Sequence, residues 1–111
     1  MKIDFEDHDR VSIVSVLGEL SVDQIDSFRR GIQDRLDRGV RDFVLRVDEM
    51  TFIDSAGLEA LLWLQDSAAE ELGQVRLVAP SADVSKILEM TRLSGQFETH
   101  GEVTDAVRSL R

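Results

Sequence analysis

The segment Phe43–Val47, FVLRV, is almost unbroken apolar sequence set between two stretches of helical periodicity. A strand with one face in water alternates apolar and polar residues. A continuously apolar strand is covered on both faces, as in parallel sheets whose crossovers are helices. Val75–Ala79, VRLVA, has the same character. Ahead of Phe43, Val22, Ile25, Phe28, Ile32 and Leu36 recur at helical spacing, behind a Ser21/Gln24 capping-box pattern and before Gly39 at a C-cap position. After Val47, Leu58, Leu61, Leu62, Ala69 and Leu72 predict a second buried helical face that stops at Gly73. Ser81 is placed to cap a third helix carrying Val84, Ile87, Leu88 and Thr91. Val103, Ala106, Val107 and Leu110 mark a fourth. At the N-terminus, Ile3 and Phe5 alternate as in an edge strand, Val11–Leu17 reads as its hairpin partner, and Gly18 ends the pattern. Phe97–Thr99 is a weak last strand. The predicted order is ββαβαβαβα. It describes one α/β domain over residues 1–111, a mostly parallel, mixed β-sheet with an N-terminal β-hairpin, four helices and right-handed crossovers.

Composition removes several classes of function. The net charge is −9, which disfavours nucleic acid and anionic membrane surfaces. It is compatible with a basic protein partner, although solubility alone accounts for it. The longest apolar run, Ala60–Leu64, is far too short to enter a membrane, and the acidic start MKIDFEDHDR lacks the apolar core of a leader. A cytoplasmic protein is expected, alone or as the cytoplasmic part of something larger. There are no cysteines, and His8 and His100 lie far apart with no second histidine at helical spacing. Neither a metal centre nor a cofactor is expected.

The stretch Thr51–Leu64, TFIDSAGLEALLWL, carries the chemistry that remains. Two β-formers, Phe52 and Ile53, run through Asp54-Ser55-Ala56-Gly57 into a helix. Ser55 as a nucleophile would need a base and an oxyanion hole, and no G-x-S-x-G elbow or motif histidine supplies them. Ser55 instead reads as a helix cap, with Asp54 as the other candidate for the cap or for a turn-shaping hydrogen bond. Gly57 lets the turn pack closely or lets a partner approach. Gly31, within the first helix, either permits close packing or is merely tolerated. Trp63 lies with Glu59, Asp66 and Glu70 on a helical wheel, away from Leu58, Leu61 and Leu62. It is either a contact with a neighbouring helix or an anchor for a partner.

Gly18-Glu19-Leu20, the Thr51–Leu62 motif and Ile87–Phe97, ILEMTRLSGQF, fall in the order and spacing of STAS domains. The chain resembles a stand-alone bacterial anti-sigma factor antagonist over nearly its whole length. The resemblance implies a protein-binding switch and not an enzyme. Such antagonists bind an anti-sigma factor that is also a serine kinase with a GHKL-type ATP site. The kinase phosphorylates the residue after Asp-Ser, the modified antagonist lets go, and a phosphatase resets the cycle.

Three positions depart from that pattern. The phosphoacceptor position holds Ala56, which cannot be phosphorylated. Ser21 stands where the family's G-E-L-D turn has Asp, and Arg46 stands where an Asp commonly ends the preceding strand. The expected protein therefore keeps the binding surface and lacks the standard switch, with Ser55 as a displaced phosphoacceptor in the alternative. The partner surface implied by the resemblance comprises Ser21, Asp54, Ser55, Ala56, Gly57, Leu58, Glu59 and Trp63. Other readings are an interaction subunit of a phospholipid-transport ABC system or a stressosome, and a nucleotide or small-ligand sensor with phosphate at the Ser55 helix N-terminus.

Overall fold

The computed structural model describes residues 1–111. Strands β1 (Lys2–His8) and β2 (Val11–Leu20) form an antiparallel hairpin, with His8 opposite Val11 and Lys2 opposite Leu17. Asp9, at φ +54°, makes the two-residue turn. Helix α1 (Ile25–Asp37) follows a 3-10 turn at Val22–Gln24. Then come β3 (Asp42–Arg46), β4 (Met50–Ile53), α2 (Ser55–Glu70), β5 (Val75–Val78), α3 (Ala82–Met90), β6 (Glu98–His100) and α4 (Val103–Arg108). The sheet order is β1-β2-β3-β5-β6, with β4 also paired to β2. Every pairing except the hairpin is parallel. The α/β fold with a mixed sheet, an N-terminal hairpin and four helices is as the sequence predicts.

The element order differs in one place. Gly18 does not end β2. It takes φ +86° inside the strand, and the register shifts between Gly18 and Glu19. Such a bulge bends a strand and raises its twist. β2 therefore pairs with β3 along Val11–Ser15 and with β4 along Gly18–Leu20. The short strand β4, absent from ββαβαβαβα, is the product of that bend.

Strand alternation divides the core in two. Val14, Val16, Phe43, Leu45 and Leu77 face α1, α2 and α3 and join Phe28, Ile32, Leu61, Leu64 and Leu88 in one cluster. Val44 and Val78 face the other way and meet Ala106 of α4. This is why FVLRV is almost unbroken apolar sequence: Phe43, Leu45 and Val47 are buried on one face and Val44 on the other, with Arg46 the exposed exception.

The α2 face is rotated from the one expected. Gly57, Ala60, Leu61, Leu64 and Ala68 are buried with Leu58, whereas Ala69 and Leu72 are exposed. The helix ends at Glu70, and Leu72, at φ +63°, turns its side chain into solvent. Gly73 then donates to Ala68 O at 2.7 Å and passes so close to the carbonyl of Arg41 that a Cβ there would overlap it. Val22 and Thr91 are also exposed, because both lie outside the regular turns of their helices. Gly31 gives the ring of Phe5 its seat, since a Cβ would come within 2.7 Å of Phe5 Cζ. The Arg35 guanidinium lies 3.8 Å from the centroid of that ring.

Arg76 is a buried cation, 7% exposed, that fastens α4 to the sheet. Its Nε donates to Ser109 Oγ at 2.9 Å and lies 3.1 Å from the Glu98 carboxylate. Its Nη1 donates to Val75 O at 3.2 Å. Arg76→Met roughly keeps the volume and takes the donors from Ser109 Oγ and Val75 O, while half-exposed Glu98 keeps its water, so unfolding in urea is expected at a lower midpoint, with about 1 kcal/mol lost. An unchanged midpoint would show that α4 docks through Val44, Val78 and Ala106 alone.

Candidate partner-binding site

The Asp54–Gly57 turn sits where β4 meets α2, at the same edge as the 3-10 turn that leaves β2. Parallel pairing brings Leu20 level with Ile53, so the residues that follow each strand emerge side by side. Asp54 joins them. Its Oδ1 accepts from Gly57 N–H at 2.8 Å, and its Oδ2 accepts from Val22 N–H at 3.0 Å. The carboxylate caps α2, taking up one donor that a helix start leaves free, and holds the Ser21 loop with its other oxygen. The cap is thus Asp54 and not Ser55, which is the first helical residue and is exposed. A carboxylate next to the positive end of a helix is also electrostatically favoured.

The loop across from the turn has its own lock. Gln24 Oε1 accepts from Ser21 N–H at 3.2 Å and from Ser21 Oγ at 2.6 Å. Ser21 is half-buried, with its side chain committed to Gln24.

Of the eight residues expected at a partner surface, Ser55 and Glu59 are exposed, and Ser21, Asp54, Ala56 and Trp63 are half-buried. Gly57 and Leu58 are buried, Leu58 with 8% of its surface exposed. Gly57 presses against the carbonyl of Leu20, and an added Cβ would stand 2.6 Å from Ile53 Cγ1. Both residues belong to the support of the turn. Trp63 packs against the main core and lies under the guanidinium of Arg29 of α1, 4.9 Å from ring centroid to Cζ. Contact with a neighbouring helix is thus realised, through a cation stacked on the indole.

Two residues near the turn were missed by sequence reasoning. Val22 is 67% exposed and Phe52 is 45% exposed. Val22 follows the helical apolar spacing, but a 3-10 turn puts it outside the helix. Phe52 was legible: adjacent residues of a strand point to opposite faces, so Phe52 and Ile53 could not both be inside. Exposed carboxylates adjoin each of them: Glu19 is level with Phe52 across the β2–β4 pairing, and Asp23 follows Val22 in the chain.

Solved structures resemble the whole chain in fold. An anti-sigma factor antagonist from Mycobacterium paratuberculosis superposes with a TM-score of 0.85 at 25% identity, over 99% of this chain and 93% of that one. A Thermotoga maritima protein assigned as an anti-sigma factor antagonist gives 0.89 at 23% identity, over 98% and 94%. The anti-sigma factor antagonist SpoIIAA in its unphosphorylated form gives 0.82 at 21% identity, over 99% of each chain. The STAS domain model matches residues 2–106, and the protein belongs to the STAS domain family.

Proposed function

We infer that this STAS protein is an anti-sigma factor antagonist that acts in the cytoplasm by binding and not by catalysis. Its partner is a serine-kinase anti-sigma factor with a GHKL-type ATP site. The observation that carries this reading is the double use of the Asp54 carboxylate. It ties the turn to the Ser21 loop, which carries exposed Val22 and its acidic neighbour Asp23. A prearranged surface of apolar and acidic groups suits a protein partner that offers apolar and basic ones. The solved structures of SpoIIAA include a phosphorylated and an unphosphorylated form. In this chain the standard acceptor position holds Ala56, so the complex is not released by that route.

The test uses a kinase-type anti-sigma factor from the same cell, with ATP and mass spectrometry as the readout. The wild-type protein is expected to bind it and to take up no phosphate, whereas Ala56→Ser takes up one. Stoichiometric phosphate on Ser55 of the wild type would move the switch by one residue. Absence of binding by both proteins would overturn the reading.

A further inference from the structure

Sheets joined by crossover helices are ordinarily covered on both faces. Here α1, α2 and α3 cover one face, and the other carries only the six-residue α4, over Val44 and Val78. The β1–β2 half of that second face is only partly covered, Val11 and Ile13 packing at its margin against the Val44, Val78 and Ala106 cluster. Ile13, Ser15 and Leu17 point into it and are half-buried, while the alternate residues Val14 and Val16 are fully buried on the other side. Asp4 is level with Ser15, and Glu6 with Ile13, so two carboxylates stand on the β1 border of this floor, with Lys2 beyond them, level with Leu17. Arg46 is level with Ser15 on the β3 side.

Three adjoining clefts of about 180, 420 and 230 Å³ share Arg46. They form one trough, from Leu17, Asp48 and Glu49 at one end to Glu102 and Val103 of the α4 region at the other. From β1 to β3 is two strand spacings, about 10 Å, which is about the width of one α-helix. Acidic residues dominate the border. Arg46, in the middle, is exposed and takes part in none of the molecule's ion pairs.

We propose that this trough docks a basic amphipathic helix of a protein partner, which lays an apolar stripe on Ile13, Leu17 and Val103, sets Lys or Arg against Asp4, Glu6 and Asp48, and brings one carboxylate to Arg46. Charge selects this occupant. A second copy of the chain would set acid against acid, and nucleic acid or an anionic lipid surface meets the same repulsion. Binding here uses side chains other than those of the Asp54 turn, which lies at the start of a helix on the opposite face of the sheet.

The test is an NMR titration of the full chain with a synthetic helical peptide of about 18 residues, five turns. The peptide carries leucines on one stripe, lysines elsewhere and one central glutamate. A second peptide has the same composition in scrambled order, and a third has glutamine for the glutamate. The amphipathic peptide is expected to shift the amides of Asp4, Glu6, Ile13, Ser15, Arg46 and Val103, and to bind about tenfold more tightly than the scrambled one. Charge reversal in Asp4→Lys/Glu6→Lys is expected to abolish most of this preference, with Tm checked first. Arg46→Gln is expected to weaken the glutamate peptide and to strengthen the glutamine one. Equal affinity for the scrambled peptide would reduce the effect to net charge and overturn the proposal. So would shifts centred on α2, or shifts that follow protein concentration without peptide, which would indicate a second copy.

Discussion

Gly57→Ala is expected to lower the melting temperature by roughly 15 °C, the equivalent of about 3 kcal/mol, the upper end of what overpacking costs. The new methyl group would overlap the carbonyl of Leu20, which is backbone and cannot rotate aside, and would press on Ile53 Cγ1. To make room, α2 must move away from β2, and the Asp54 oxygens then lose their fit to Gly57 N–H and Val22 N–H together. Gly101→Ala is the control, because nothing lies within 4 Å of a Cβ there. It is expected to leave the melt unchanged within about 0.5 kcal/mol. Calorimetric melts of the two variants and wild type check this. Equal stability of Gly57→Ala and wild type would show that the helix start tolerates a shift that its packing does not suggest.

Ala56→Asp is expected to abolish partner binding while leaving the fold intact. Ala56 is half-buried at the second position of α2, where a carboxylate is favoured by the helix dipole. The variant should therefore melt at or slightly above the wild-type temperature. In a packed complex the same carboxylate loses water without gaining a partner. A penalty of about 3 kcal/mol corresponds to a loss of affinity of more than about 100-fold. Isothermal calorimetry against the proposed anti-sigma factor partner, beside thermal melts, separates the two effects. A stable Ala56→Asp protein that binds as tightly as wild type would place the interface away from the turn.

Much of this architecture was legible because local and global preferences agree. In FVLRV, Phe43, Leu45 and Val47 are covered by one layer and Val44 by the other. Ser81 stands at a cap position in the sequence, and its Oγ accepts from Val84 N–H at 3.3 Å. The misreadings arise where a long-range contact decides between two locally acceptable choices. Asp54 and Ser55 are both good capping residues, and the choice is settled by an amide 32 residues away, that of Val22. Gly18 looks like a strand terminator, yet its positive φ inserts a bulge that lets β2 continue beside β4. Leu72 fits the apolar spacing of α2, but the helix ends before reaching it. At the candidate site, the motif located the turn, while the outward faces of Val22 and Phe52 came only from the path of the backbone around it.

The shared acceptor at Asp54 also governs how this surface can move. Proteins open locally in small cooperative units, each with its own free energy. The amides of Val22 and Gly57 belong to segments far apart in the chain, yet both end on one carboxylate. Opening either segment removes one of the two bonds that fix the carboxylate, and so loosens the hold on the other. The two segments are thus coupled in their opening through one side chain. A partner that grips either one also steadies the other.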